Sequence, residues 1–201
     1  MRILPFLLAA GGCWAGPYLP QVAQTIPADG CRIKLEWISA PAGTIAAPQS
    51  ISGTLEMAEG NRFRFHSAEL VVVSDGTTLR QWNAATNQVI VRKASLVGAS
   101  DLPTGLLRSA LAGSETASSL EKLDGKMVRR LSLDVSRPPL SQYARATLWA
   151  RESDHQPLRL EVDDAEGGRT TWKLLSLSRW KPSAKDFDYV PPAGAEVVDS
   201  R

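Results

Sequence analysis

Across residues 53–89 apolar side chains recur at every second position, and Gly, Asn or Asp-Gly interrupts the chain after each short run. The stretch holds Gly53-Thr54-Leu55-Glu56-Met57, Asn61-Arg62-Phe63-Arg64-Phe65, Val71-Val72-Val73-Ser74-Asp75-Gly76, Leu79, Trp82 and Gln88-Val89. A period of two is the strand period and sends successive side chains to opposite faces. Short strands divided by such turn residues pair as antiparallel hairpins. The chain is thereby committed to a sheet with one apolar and one wet face, and something must cover the apolar face.

The pattern extends in both directions. Residues 31–38 alternate and read as a first strand, residues 39–49 are a Pro-, Ala- and Gly-rich loop, and strands follow at about 50–58, 61–67, 69–74, 77–83 and 87–93. Asp75-Gly76 predicts a two-residue hairpin, because both residues tolerate positive φ. Residues 102–111 have helical spacing with Pro103 near the start, where the missing N–H costs nothing. A polar loop over 113–119 and a short 120–123 segment come next, then strands at about 127–136, 143–152, 157–164 and 169–180. An N-terminal helix is at most short, near residues 21–25, and residues 187–194 form an extended tail.

This order gives a mainly β protein of about ten or eleven strands with few helices. A flat sheet of that length would expose aggregation-prone edges, so a strongly curved antiparallel sheet or open barrel is expected, with the inserted helix covering its concave side. Alternation predicts Leu55, Met57, Phe63, Phe65, Val71, Val73, Leu131, Leu133 and Leu160 on the concave face, with Leu106, Leu107 and Leu111 of the inserted helix facing them as the lid. Trp82 and Trp149 are candidate rim or wall groups of the same apolar site. Whether that face is filled by its own side chains or left open is not decided by alternation.

The N-terminus carries a second signal. Met1-Arg2 precedes an apolar run over 3–10 that ends in small residues, which reads as a secretory signal and is far shorter than a membrane span. Ala10-Gly11-Gly12-Cys13 has the form of a degraded lipobox, whose product would be anchored to the membrane through an acylated Cys13. Cleavage near Ala15 would instead release an exported, unanchored chain. The expected organisation is a signal peptide over 1–15 and one domain over 16–201, too short for two comfortable domains. Cys31, opening the first strand, is left as a small buried hydrophobe.

Chemistry is sparse. His66 and His155 each sit in or beside a turn, far apart, and no Cys or His spacing suits a metal. Ser119-Leu120-Glu121-Lys122 satisfies a serine-x-x-lysine pattern but lacks its partner motifs. No nucleotide-binding glycine pattern or other cofactor motif occurs. A net charge of +2, with Lys and Arg scattered among Asp and Glu, argues against a nucleic-acid partner. The reading is of a binding protein, not an enzyme.

The stretch over 53–89 resembles the LolA-type periplasmic lipoprotein carriers in Gly53-x-Leu55, the strand over 61–65, Val73-Ser74-Asp75-Gly76-x-Thr78-Leu79, Trp82-Asn83 and Gln88. A second match is Phe187-x-Tyr189-x-Pro191-Pro192-x-Gly194-x-x-Val197. The resemblance covers about residues 50–95 and 125–199. It implies a half-barrel with helices over an apolar cavity that escorts acylated lipoproteins, or lipid, from inner to outer membrane. Its implied partners are an ATP-driven, ABC-type extractor in the inner membrane and an acceptor at the outer membrane. A membrane-anchored LolB-like acceptor, or an envelope-stress sensor, is the alternative use of the same scaffold. Family carriers often have an Arg-Pro pair before the Phe-containing strand, with the Arg linking sheet to lid; here Glu59-Gly60 stands there.

Overall fold

The alternating runs assemble into one sheet. The computed structural model describes residues 17–43, 47–96, 103–138 and 140–201, so the signal-like segment and Cys13 lie outside the described residues. The strands are β1 (Cys31–Ala40), β2 (Gln49–Met57), β3 (Arg62–His66), β4 (Leu70–Asp75), β5 (Thr78–Asn83), β6 (Gln88–Lys93), β7 (Glu115–Leu123), β8 (Lys126–Leu133), β9 (Tyr143–Arg151), β10 (Pro157–Asp164), β11 (Arg169–Arg179) and β12 (Glu196–Asp199). Two helices accompany them, α1 (Leu19–Gln24) and α2 (Pro103–Ala112).

In space the 12 strands run β12-β6-β5-β4-β3-β2-β1-β11-β10-β9-β8-β7. Two meanders, β1 to β6 and β7 to β11, are joined where β1 pairs with β11. The end strands β12 and β7 do not pair, so the curved sheet stays unclosed. Register shifts between Lys34 and Leu35, between Glu115 and Ala117, and at both ends of β10 supply local bends.

Two predicted features change. Residues 115–123 form a full strand rather than a polar loop and a short segment; β7 is an edge strand exposed over most of its length, so polar residues fit it. The sheet is also not antiparallel throughout, because β12 runs parallel to β6. That pairing follows from topology. Leaving β11 in the middle of the sheet for its far edge, the chain must cross β1 through β6 on one face. It crosses the convex face, where Phe187 packs with Ala58 and Val73, beside Val71, Trp180 and Tyr189.

The hairpin between β4 and β5 turns on Gly76 and Thr77, one residue later than predicted. Gly76 takes the positive φ, and the Asp75 carboxylate accepts from Thr77 N, Thr77 Oγ1 and Thr78 N at 2.7–2.9 Å and from Arg80 Nη1 at 2.9 Å. Burial pushes the Asp75 carboxyl up, but these donors outweigh it and hold the group well below its ordinary range.

Gly53 answers a different need. A Cβ there would fall 2.7 Å from His66 O and from Cε2 and Cζ of Phe65, whose ring lies across the glycine. Gly53→Val should therefore overpack the site and cost about 1–3 kcal/mol of stability. Urea unfolding measures it, and an unchanged midpoint would show that Phe65 does not lie there.

Candidate functional site

Residues paired across antiparallel strands share a face, so register decides what looks inward. One row runs Leu131, Leu148, Leu160, Trp172, Trp37 and Ile51 across β8, β9, β10, β11, β1 and β2. Two others run Ile33, Leu55, Phe65, Val72 and Cys31, Met57, Phe63. These residues belong to, or pack against, one cluster that also contains Leu19 and Val22 of α1 and Leu106, Leu107 and Ala110 of α2. Of the sequence-predicted set, Leu55, Met57, Phe63, Phe65, Leu131, Leu133 and Leu160 come together here; Leu106 and Leu107 cover them, and Leu111 packs at the margin.

Four predicted residues do not join them. Val73 pairs with Arg64 and lies on the convex face against Phe187, with Val71 beside it; Val72 takes the inward place. Trp82 pairs with Val71 and shares that outer face, its Nε1 donating to Asn87 Oδ1 at 3.1 Å. Trp149 points away from the cluster that holds Leu148. Its ring lies between the Arg130 and Arg159 guanidiniums, 5.9 and 5.0 Å from the centroid, and its Nε1 donates to Glu121 Oε1 at 2.6 Å. Each of the four sits in or beside an unbroken apolar run or in register with one, where a period of two gives no direction.

The inward face is closed over by its helices: Leu55, Phe65, Leu107, Leu131, Leu148 and Leu160 are all fully buried. The lid is tied down at two separated points. At one, the Glu115 carboxylate of β7 accepts from the backbone N–H of Tyr18 and Leu19 at 3.0 and 2.6 Å, capping the start of α1 where unpaired donors and the helix dipole favour an anion. Tyr18 adds Oη donating to Arg151 O at 3.1 Å, and burial together with Glu152 pushes its phenol up to about 12, so it stays a neutral donor.

The second tie belongs to α2. Arg108 Nη2 donates to Ala58 O at 2.7 Å and Nη1 to Asn61 Oδ1 at 3.2 Å, fastening the helix to the β2–β3 turn. Glu59-Gly60 offers no arginine for a sheet-to-lid link; here the arginine stands on the lid and a backbone carbonyl of the β2–β3 turn accepts. Burial holds the guanidinium below the ordinary arginine value. Beside it, burial pushes the Cys31 thiol up to about 11, leaving it a neutral, inert part of the wall. Sequence reasoning missed Arg108, since one arginine among helical residues reads as a solvated face.

Between α1, α2 and the β2–β3 turn opens a cleft of about 510 Å³, bounded by Ala23, Ile26, Met57, Gly60, Arg108 and Leu111. Only Met57 and Leu111 of the predicted set line it. Toward the other end of the lining, the ring centroids of Trp37 and Trp172 lie 6.3 Å apart, and both indole Nε1 atoms are buried without a hydrogen-bond partner. Orphaned donors in an apolar wall are rare enough to require an account.

The other motifs assemble no site. Ser119 and Lys122 are three positions apart on β7, which sends their side chains to opposite faces. His66 ends β3 and is partly buried, which lowers its pKa; His155 packs edge-on against Tyr18. Among the described residues no group of three or more His, Cys, Asp or Glu is placed to hold a metal, and no helix is long and apolar enough to cross a membrane.

An open sheet wrapped around an apolar face, with two short helices as a cover and a cleft at their junction, defines a lidded β scaffold with an apolar interior. The family model described as "Outer membrane lipoprotein carrier protein LolA" matches residues 40–190, and the chain belongs to that family. A protein of Albidiferax ferrireducens named "Outer-membrane lipoprotein carrier protein" is 30% identical over 206 residues, covering 96% of this chain and 92% of its own. A Bordetella pertussis protein of the same name is 28% identical, covering 95% and 90%. Among solved structures, an uncharacterized conserved protein from Thermus thermophilus has the same fold at a TM-score of 0.56 and 14% identity, covering 91% of this chain and 97% of that one.

Proposed function

We propose that this chain is a non-enzymatic periplasmic carrier that holds the acyl chains of lipoproteins between the concave face and the two helices. It takes them from an ABC-type extractor in the inner membrane and delivers them to an acceptor at the outer membrane. The observation that carries the reading is the continuous apolar face covered by α1 and α2, with a cleft where they meet the β2–β3 turn. Family membership supports it.

Leu55, Met57, Phe63, Phe65, Leu131 and Leu133 are the proposed contact surface, and Leu106, Leu107 and Leu111 the movable cover. The unpaired indole donors of Trp37 and Trp172 suit the ester carbonyls of a bound chain. Each buried methylene is worth about 0.8 kcal/mol, so the three chains of a triacylated lipoprotein contribute roughly 35 kcal/mol, and such cargo does not leave a membrane unaided. Loading therefore needs an energised extractor, and unloading needs an acceptor with higher affinity.

The test is native mass spectrometry of the purified chain mixed with a triacylated lipopeptide. A one-to-one complex, lost with the deacylated peptide, is expected; a clean unliganded mass across the titration would overturn the reading. The intact mass of protein from envelope extract also reports the N-terminus, and an acylated Cys13 would move the chain to the anchored-acceptor role.

A further inference from the structure

We infer that the cleft between α1, α2 and the β2–β3 turn binds a phosphate-bearing lipid, with its headgroup on Arg108 and its chain along Ile26, Met57 and Leu111. This deepens the carrier reading above and rests on its assignment of the lidded face. The cleft, about 510 Å³, falls within the roughly 300–1,000 Å³ of small-molecule sites. Its walls are Ala, Ile, Pro, Met and Leu side chains, with two charged residues, Arg108 and Glu59. Glu59 is exposed at the rim and forms no ion pair among the described residues.

Arg108 is the group in this cleft that an acyl carrier does not by itself explain. It is half-buried, both of its bonding partners are neutral, and among the described residues no carboxylate pairs with it. Withdrawing a guanidinium from water without an opposing charge is unfavourable, and a latch to a backbone carbonyl needs only a neutral donor. Acyl chains carry no charge and give the cation nothing to meet.

A guanidinium presents five donors in a planar fork that matches phosphate oxygens, and two of its nitrogens here hold one bond each. A phosphate offers several acceptors at once and so engages the remaining donors. It also competes with Ala58 O for the guanidinium, so that binding loosens α2 at the place where a chain would enter.

The experiment compares 1-palmitoyl lysophosphatidate, neutral 1-palmitoylglycerol and inorganic phosphate, each below micellar concentration, on the wild-type chain and on Arg108→Gln. The glutamine can still donate to Ala58 O. Wild type should bind the lysophosphatidate about tenfold tighter than the neutral lipid, the scale of about one charge-assisted hydrogen bond at a half-exposed site. Arg108→Gln should abolish that preference, bringing the affinities for the two lipids to within about twofold of each other. No headgroup preference in wild type, or an equal loss for both lipids in the variant, overturns the inference and leaves Arg108 as a latch alone. Tight binding of inorganic phosphate with no lipid uptake overturns it in favour of a free anion. A triacylated lipopeptide run in parallel separates the two readings. Lipopeptide capture without headgroup preference sinks only this inference, and the headgroup preference without lipopeptide capture sinks only the cargo assignment.

Discussion

Truncation of Phe65 to alanine should lower the unfolding free energy by about 3–5 kcal/mol, the cost of deleting a large buried aromatic ring. Phe65 is fully buried, pairs with Leu55 and Val72, and its ring lies over Gly53 at the centre of the inward face. The magnitude separates two states of that face. Packed beneath α1 and α2 as observed, the ring loses all its neighbours when removed and leaves a void. If the helices stood open in solution, the ring would already face water or cargo, and its loss would cost under about 1 kcal/mol. Urea unfolding of the unliganded chain decides between them. A full loss means that the concave residues are the core of the empty protein as well as the proposed cargo surface. Cargo then enters by replacing lid contacts with acyl contacts, and affinity is the difference between the two.

The hairpins were legible because turn chemistry and alternation agree along β2 to β6 and β8 to β11. The helix over the face was legible from the spacing of Leu106, Leu107 and Leu111. Face assignment failed where alternation stops. Val71-Val72-Val73 is apolar at three successive positions because β4 is covered on both sides, by the cluster inside and by Phe187 outside. Leu148-Trp149-Ala150 behaves alike, with an aromatic ring sheltered by two arginines instead of by core. The strand β7 was hidden by its Ser, Thr and Glu residues, which suit an edge in solvent and resemble a loop. The parallel β12 has only four residues and depends on the long crossing from β11. Arg108 and the two orphaned indoles became visible only in three dimensions. Their meaning lies in what stands opposite them, and sequence spacing does not carry that.

Placing aspartate at Leu107 should unseat α2 without dissolving the sheet. Leu107 is fully buried in the helix, between the inward face and its neighbours Leu106 and Ala110. An uncompensated carboxylate there costs about 3–5 kcal/mol and falls on the docking of α2, since it touches no strand pairing. At neutral pH the variant should bind an apolar dye several-fold more strongly than wild type while keeping its β-sheet circular dichroism. Burial raises the pKa of a docked carboxyl above the roughly 3.9 of the free side chain. The docked state therefore binds the proton more tightly, and the penalty is full above the docked pKa and fades as pH falls toward 3.9. Dye binding by Leu107→Asp should thus decline as the pH drops from 7 to 4. Leu107→Asn, equally polar but without a titrating group, should show no such change in dye binding between the two pH values. Should Leu107→Asp bind no more dye than wild type, α2 is not a separable cover, and the lid mechanism fails with it. Collapse of the sheet signal would also sink it, because the helix would then be part of the folding core and not a door.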